Sequence, residues 1–205
     1  DVERSRGLGD VYKRQTFDPF IPDYINLSSY KKNGGYEIAD KIKNGVISKK
    51  QVLDSLNESG LKGKGGAGFP TGKKWEIVSN YNGKKYVAVN GDEGEPGTFK
   101  DRSYLESDPH RFLEGALIAS YFINAQKVYI YMRDEYPTVI KILLDEINKM
   151  EDEEIIPKDF FIVRRGAGAY ICGEESAMIE SIEGKRGLPR HRPVSYTHLT
   201  LPTKA

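Results

Sequence analysis

A stretch rich in glycine and lysine begins at Gly63 and reads Gly-Lys-Gly-Gly-Ala-Gly-Phe-Pro-Thr-Gly-Lys-Lys-Trp75. Glycine adds no side chain to a core, so this density indicates positive φ angles or backbone N–H groups that a ligand approaches closely. The lysines favour an anionic ligand such as a phosphate. A flexible surface loop with solvated lysines is the alternative. The turn at Phe69-Pro70-Thr71-Gly72, with Trp75 at helical spacing after it, favours a braced ligand loop.

The common nucleotide-binding loops do not account for this stretch. Residues 63–68 satisfy G-x-G-x-x-G, but that fingerprint follows a strand and opens a helix. Here the preceding segment is predicted to be helical, because Ser48 and Gln51 have the form of a capping box and Gly60 supplies a C-terminal stop. A Walker loop fails because Phe69 stands where lysine is required. The sequence therefore predicts a nucleotide site of another kind.

A second stretch is rich in acidic residues and reads Asn90-Gly-Asp-Glu-Gly-Glu-Pro-Gly-Thr-Phe-Lys-Asp-Arg102. It follows a predicted buried strand, so Asp92, Glu93 and Glu95 are expected at the carboxyl end of that strand. Carboxylates in this position accept hydrogen bonds from ribose or ribityl hydroxyls or from an amide. The alternatives are an acidic surface turn and a calcium loop, and the spacing does not match an EF-hand.

A third stretch, Gly166-Ala-Gly-Ala-Tyr-Ile-Cys-Gly-Glu-Glu175, joins a predicted strand to a predicted helix. Its glycines allow close backbone approach, and Tyr170 offers an aromatic ring. Glu174 and Glu175 fall in the first helical turn, where the helix dipole explains them without any ligand. Cys172 has no neighbouring histidine, so a small buried residue is favoured over a nucleophile.

The composition excludes several classes of function. The chain has 205 residues and a formal net charge of +1, which gives no electrostatic case for nucleic acid or an anionic membrane. A single cysteine permits no disulfide framework and no cysteine-ligated zinc or iron–sulfur centre. The histidines show no metal-ligand spacing. Because no apolar run reaches membrane-spanning length and no signal peptide is evident, no membrane insertion and a cytoplasmic location are expected.

The elements that must position the three stretches alternate along the chain. This alternation predicts an α/β fold with a mostly parallel sheet and flanking helices, whose ligands lie at the carboxyl ends of the strands. The predicted strands are Lys85–Asn90, Lys127–Met132 and Phe160–Val163. The predicted helices are Tyr36–Lys43, Ser48–Ser59, Thr71–Ser79 with Thr71 as its cap, a core helix from Asp108-Pro109, Pro137–Met150 and Gly173–Glu183.

The two ends of the chain differ in composition and apolar periodicity from the rest. Residues 1–15 carry many charges with little apolar periodicity, and residues 195–205 are equally unlike what precedes them. Both resemble translated adapter sequence, so they are interpreted as non-native or disordered ends and excluded from fold reasoning. Residues 16–194 are expected to form one cofactor-binding domain that is truncated at its C-terminal side.

The three stretches together resemble the flavoprotein subunit of respiratory complex I, the 51-kDa NADH-binding type, over roughly residues 17–193. Related proteins include the beta subunits of NAD-dependent formate dehydrogenases and NAD-linked hydrogenases, and residues 174–193 look especially like the formate dehydrogenase branch. The resemblance implies a Rossmann-like domain that binds FMN, with the nicotinamide of NADH stacked on the flavin. It also implies an oxidoreductase subunit in a peripheral arm, oxidising NADH or reducing NAD.

Electrons would pass to iron–sulfur clusters in other subunits, especially a small 2Fe-2S subunit, and a 4Fe-4S cluster is expected only in the missing C-terminal part. No catalytic side chain and no metal ligand are expected in this chain. A non-catalytic nucleotide-binding scaffold is the alternative function.

The resemblance also implies cofactor contacts residue by residue. FMN would contact Gly63, Lys64, Gly66, Lys74, Asn90, Asp92, Glu93, Tyr170, Gly173 and Glu174, with Gly65 in the same loop. NADH would contact Gly66, Ala67, Phe69, Lys74, Glu95 and Glu175, with Phe69 stacked on the adenine. Three positions depart from the family pattern: Lys64 replaces the usual arginine, and Val194 and Ser195 replace a proline and an aromatic residue.

Overall fold

Three parallel strands form the centre of the structure, a computed structural model that describes residues 24–63, 68–166 and 170–189. They are β1 (Lys85–Gly91), β2 (Ala125–Met132) and β3 (Phe161–Arg165), in the order β1-β2-β3. Helices connect consecutive strands, as parallel pairing requires. The predicted α/β fold with a parallel sheet is confirmed, and each strand differs from its predicted bounds by two residues or fewer. The predicted non-native ends, 1–15 and 195–205, lie outside the described residues.

Four helices precede the sheet in the described residues: α1 (Leu27–Lys32), α2 (Glu37–Lys43), α3 (Lys49–Glu58) and α4 (Thr71–Ser79). The predicted capping box at α3 is present, because the Ser48 side chain accepts from the backbone of Gln51 and the Gln51 side chain accepts from the backbone N–H of Ser48. Gly60, at φ +63°, follows the end of this helix as predicted. The prediction that Thr71 caps α4 is wrong: Pro70 occupies the N-cap position without a side-chain cap bond, and Thr71 is the first helical residue.

The connection from β1 to β2 contains α5 (Lys100–Ser107) and α6 (Pro109–Ile123), and α7 (Pro137–Asp152) connects β2 to β3. The predicted start of α6 is confirmed: the Asp108 side chain accepts from Arg111 N, and Pro109 is the first helical residue. The sequence pattern predicts neither α1 nor α5, because both are short and polar and bury few side chains. The third stretch forms a 3-10 helix (Tyr170–Gly173) before α8 (Glu175–Ile182), so α8 begins two residues later than predicted.

The core lies between one face of the sheet and the helices α6 and α7. Buried residues of this core include Leu113, Leu117, Val128, Ile130, Val139, Leu143 and Phe161. Burying each large apolar side chain contributes roughly 1.5–3 kcal/mol. On the other face, Tyr131 packs with Cys172 and Met178, so α8 and the 3-10 helix cover the carboxyl end of the central strand β2. Both the interpretation of α6 as a core helix and that of Cys172 as a buried residue are confirmed.

A buried polar group connects the segment before α1 to α6 and α7. Glu146 accepts hydrogen bonds from Tyr24 Oη at 2.5 Å, Lys149 Nζ at 2.7 Å and Leu27 N at 3.1 Å. His110 is fully buried and donates from Nε2 to Glu146 at 2.7 Å. Its Nδ1 then accepts from the hydroxyl of Tyr36 at 2.8 Å. Burial lowers the pKa of His110, and the hydrogen bond to Glu146 opposes this shift.

Candidate functional site

The loops after β1 and β3 meet at the carboxyl edge of the sheet. Parallel strands end at the same edge, so both loops start beside each other. The side-chain amide of Asn90 donates to the backbone oxygen of Gly173 at 2.8 Å, and its oxygen accepts from Asp92 N at 3.1 Å. A side chain at Gly94 would place its Cβ 3.0 Å from Cδ2 of Tyr170. The start of the second stretch and the described part of the third, residues 170–173, therefore lie side by side.

Asp92 provides the clearest sign of a ligand. Within the described residues, its Oδ2 is buried and has no hydrogen-bond partner. Burial raises the pKa of Asp92, and the positive charge of Arg133 opposes this shift. A buried acceptor without a donor costs about 1–3 kcal/mol, which a ligand hydroxyl or amide could recover. A Cβ at Gly173 would lie 3.4 Å from the backbone oxygen of Asp92, so the glycine permits close contact between the two loops.

Glu93 points away from this surface into the protein. It is 6 % exposed, and its carboxylate accepts from Asp101 N at 3.0 Å and Arg102 N at 3.4 Å. The hydroxyl of Tyr136 lies 3.3 Å from Oε2. Glu93 therefore satisfies the free backbone N–H groups at the start of α5, where a negative charge also complements the helix dipole. Its carboxylate has a structural task that the sequence did not indicate.

The base of the glycine-rich loop is held by backbone pairing. Lys62 and Pro70 form an isolated antiparallel bridge, Gly63 N donates to the oxygen of Phe69 at 2.9 Å, and Thr71 N donates to the oxygen of Leu61 at 2.9 Å. These bonds brace the two ends of the loop. Four of the predicted contact residues, Lys64, Gly65, Gly66 and Ala67, lie outside the described residues.

Lys74 and Glu175 connect the first stretch electrostatically to the third. Lys74 lies on α4 and is partly buried, which lowers its pKa, and the negative charge of Glu175 opposes this shift. The neighbouring Lys73 is exposed and pairs with Glu76 at 3.0 Å. A partly desolvated ammonium is stabilised by a nearby anion, so Lys74 is the better placed of the two lysines to hold a phosphate or carboxylate.

Tyr170 and Glu95 are exposed where the loops meet solvent. The Tyr170 side chain is 69 % exposed although it contacts Gly94, which leaves much of its ring available for contact. Glu95 is exposed in a turn closed by the bond from Thr98 N to its backbone oxygen at 3.1 Å. Glu174 is the N-cap of α8 and accepts from Ser176 N at 2.9 Å and Ala177 N at 3.2 Å.

Sequence reasoning missed the loop after β2. Arg133 donates from Nη1 to the backbone oxygen of Glu93 at 2.7 Å, and its guanidinium lies 5.7 Å from the ring centre of Tyr136. Both residues thus contact the acidic loop. Its position in the sequence could have indicated this role, because Arg133 directly follows a buried strand and so lies at the same sheet edge as Asn90.

Two other kinds of site are absent from the described ranges. No group of three or more His, Cys, Asp or Glu side chains in them is arranged to hold a metal ion. None of the helices in these ranges is long and apolar enough to span a membrane.

Comparison with known proteins supports the motif assignment. Residues 56–201 match the family described as the Nuo51 FMN-binding domain. The chain is 47% identical over 180 residues to the F subunit of NADH-quinone oxidoreductase of Aquifex aeolicus, covering 84% of this chain and 42% of that protein. It is 46% identical over 182 residues to the F 2 subunit of the same enzyme of Rhizobium meliloti, covering 84% and 43%. The chain thus spans about two fifths of the length of these relatives.

Solved structures show the same relationship. An NAD+-reducing [NiFe]-hydrogenase in the H2-reduced state superposes with a TM-score of 0.66 at 38% identity, covering 76% of this chain and 28% of that chain. The structure of an NAD+-reducing [NiFe]-hydrogenase in the air-oxidised state superposes with a TM-score of 0.69 at 32% identity, covering 94% of this chain and 35% of that chain. On the family match and the motifs assembled at the sheet edge, the chain belongs to the Nuo51 FMN-binding domain family, the FMN-binding flavoprotein type found in complex I and related hydrogenases.

Proposed function

We propose that this chain is the FMN- and NADH-binding part of a subunit that oxidises NADH, or reduces NAD, within a multisubunit oxidoreductase. The observation that carries the proposal is the unsatisfied buried Oδ2 of Asp92 at the edge where the second and third motifs meet. Family membership indicates which ligand to expect there. The relatives are named as an NADH-quinone oxidoreductase and an NAD+-reducing hydrogenase, which supports a redox role with nicotinamide nucleotides.

The chemistry of the available groups fits FMN. Asp92 supplies an acceptor for a ligand hydroxyl or amide, and Lys74 supplies a positive charge for a phosphate. At the described end of the glycine loop, Gly68 has φ +60° and no atom within 4 Å of the position of a Cβ. Backbone can therefore be approached closely there. Asn90, Gly173 and the predicted loop residues 63–66 would complete the set around the flavin.

When bound, FMN would exchange a hydride with the nicotinamide and pass electrons on singly, so the difficult chemistry belongs to the cofactor. The protein residues bind and orient the flavin and the nicotinamide nucleotide. Tyr170 offers an exposed aromatic ring for contact with a ligand ring, and Phe69, Glu95 and Glu175 are the proposed NADH contacts beside Ala67. In this proposal no side chain transfers a proton.

Two residues of the predicted contact set are proposed to act indirectly. The carboxylates of Glu93 and Glu174 accept backbone N–H groups at the starts of α5 and α8, respectively. In this way they would shape the loop that carries Asp92 and the first turn of α8, which carries Glu175. Substituting either should disturb folding of its loop as well as flavin affinity, in contrast to Lys74, whose side chain is proposed to contact the ligand.

The partners belong to the same proposal. Electrons would leave towards iron–sulfur clusters. One of these, a 4Fe-4S cluster, is expected in the part of the family chain that this sequence does not cover, and the others in neighbouring subunits, especially a small 2Fe-2S subunit. A parent complex linked to quinone, hydrogen or formate is compatible with the sequence motifs. A peripheral arm on the cytoplasmic side of a membrane stays the predicted location.

The test is reconstitution of the full-length subunit with FMN, followed by anaerobic addition of NADH. The proposal expects stoichiometric FMN binding and bleaching of the flavin absorbance by NADH. Gly66→Val is expected to abolish binding of both cofactors, because a β-branched side chain obstructs close approach and disfavours positive φ. Nucleotide binding without flavin binding would overturn the proposal in favour of the non-catalytic scaffold.

A further inference from the structure

The loop after β2 is connected to the acidic loop after β1 by one arginine. Arg133 Nη1 donates to the backbone oxygen of Glu93 at 2.7 Å, while Nε donates to Glu135 Oε2 at 2.9 Å. Its backbone N–H also donates to the oxygen of Gly91 at 3.4 Å. Arg133 therefore contacts the chain on both sides of Asp92, the residue with the unsatisfied carboxylate oxygen.

A second residue of the same loop contacts the other end of Glu93. The hydroxyl of Tyr136 lies 3.3 Å from the Glu93 carboxylate, and the ring of Tyr136 lies beneath the guanidinium of Arg133 at 5.7 Å from its centre. Tyr136 N donates to the backbone oxygen of Arg133 at 3.1 Å, which closes a turn. The turn 133–136 thus holds Glu93 through both its main chain and its side chain.

We propose that Arg133 is a positioning residue of the cofactor site: by binding the backbone of Glu93 it fixes the adjacent Asp92 carboxylate where it can accept a hydrogen bond from the flavin. This inference rests on the proposed function and deepens it. Glu135 assists, because it pairs with the guanidinium and fixes its orientation. The ion pair has the forked geometry that suits arginine better than lysine.

Position alone does not give an arginine this role, as Arg165 shows. Arg165 ends β3 at the same edge and pairs through Nε with Asp134 at 2.7 Å, next to Glu135 in the chain. Within the described residues, Arg165 makes no hydrogen bond or ion pair to the acidic loop. Arg133 and Arg165 thus differ in that Arg133 reaches the loop carrying Asp92, which makes Arg165 a matched control.

The experiment compares Arg133→Gln, Arg133→Lys and Arg165→Gln in the full-length subunit. FMN affinity is measured by fluorescence titration, the environment of bound flavin by visible circular dichroism, and stability by thermal unfolding without FMN. Arg133→Gln should raise the Kd for FMN about tenfold or more, the scale of losing a hydrogen bond from a charged group. Arg133→Lys should restore part of the affinity, since an ammonium can still donate to the backbone oxygen of Glu93. Arg165→Gln should keep the wild-type Kd and spectrum.

Three results would overturn the inference. The first is a wild-type Kd and flavin spectrum in Arg133→Gln. The second is an equal loss of affinity in Arg133→Gln and Arg165→Gln, which would indicate a general effect of removing an ion pair at this edge. If Arg133→Gln does not fold, Glu135→Gln and Arg133→Lys are measured in its place. The third overturning result is then a wild-type Kd for FMN in both of these variants. Failure of the wild-type subunit to bind FMN would instead overturn the proposed function.

Discussion

The side-chain amide of Asn90 donates a hydrogen bond to the backbone oxygen of Gly173 at 2.8 Å, joining the loop after β1 to the loop after β3. The two residues are 83 positions apart in the chain, and each belongs to a different predicted motif. Because the oxygen of the same amide accepts from Asp92 N, Asn90 fixes the direction in which the acidic loop leaves the strand.

Asn90→Asp tests this relationship with almost no change in shape. The variant keeps the acceptor for Asp92 N but replaces the donor to Gly173 with an oxygen. Because the lost bond is exposed, unfolding free energy should fall by about 0.5–1.5 kcal/mol, while the Kd for FMN should rise about tenfold. Flavin titration and thermal unfolding measure the two effects. Asn82→Asp, in the turn before β1, is the control. Wild-type FMN affinity in Asn90→Asp would contradict the prediction.

Lys74→Met should weaken cofactor binding by about 1.5–3 kcal/mol, the scale of a hydrogen bond to a charged group. Methionine preserves the apolar stem in a partly buried position and removes the charge. The control is Lys73→Met on the same helix, since Lys73 is exposed and its salt bridge to Glu76 spans 3.0 Å at the surface. FMN retention and NADH affinity are measured separately. Equal effects of the two substitutions would exclude a special role for Lys74.

Glu95→Gln should change the flavin midpoint potential or the NADH affinity while FMN stays bound. The expectation follows from the proposed place of this carboxylate beside the nicotinamide, where removing a negative charge alters the stability of the reduced flavin. Potentiometry and steady-state kinetics of the full-length subunit provide the measurement. Glu58→Gln, at the end of α3, is a matched neutralisation elsewhere on the surface. If potential and kinetics are unchanged, Glu95 does not belong to the site.

Glu146→Gln should lose stability at neutral pH. Burial would raise the pKa of Glu146, but hydrogen bonds from Lys149, Tyr24, His110 and Leu27 N lower it to about 2. The pKa of this carboxyl is about 2 in the folded state and 4.5 ordinarily. At any pH well above 4.5, this difference stabilises the fold by on the order of 3 kcal/mol.

This contribution disappears as the pH falls from 4.5 to about 2, so wild type and Glu146→Gln should converge in that range. Urea unfolding over a pH series measures the difference. Glu153→Gln breaks an exposed ion pair with Lys31 and should cost less than about 1 kcal/mol. A difference between wild type and Glu146→Gln that does not depend on pH would contradict the proposed ionisation of Glu146.

The sequence determined the features that depend on neighbouring residues. The capping box at Ser48, the start of α6 at Asp108-Pro109 and the three strands were predictable because caps and strand patterns operate over a few positions. The three motifs also indicated the family by themselves, since each is a continuous run of residues. The fold class followed from the alternation of strands and helices.

Other features depended on contacts between distant segments. Helix α5 has few apolar residues, and its first turn is stabilised by Glu93, which lies eight and nine positions from the N–H groups it accepts. Local patterns therefore did not predict a helix there. The same is true of Glu93 itself, whose acidic surroundings in sequence suggested a ligand contact rather than an internal cap.

Only the tertiary structure decided how the motifs are held together. The sequence shows that Asn90, Asp92 and Gly173 belong to loops of the predicted site region, but not that Asn90 donates to Gly173 or that Asp92 keeps an unsatisfied oxygen. Arg133 acts on Glu93 across 40 positions of the chain. Such contacts arise because parallel strands end at one edge of the sheet, and they form only when packing has brought those ends within hydrogen-bond distance.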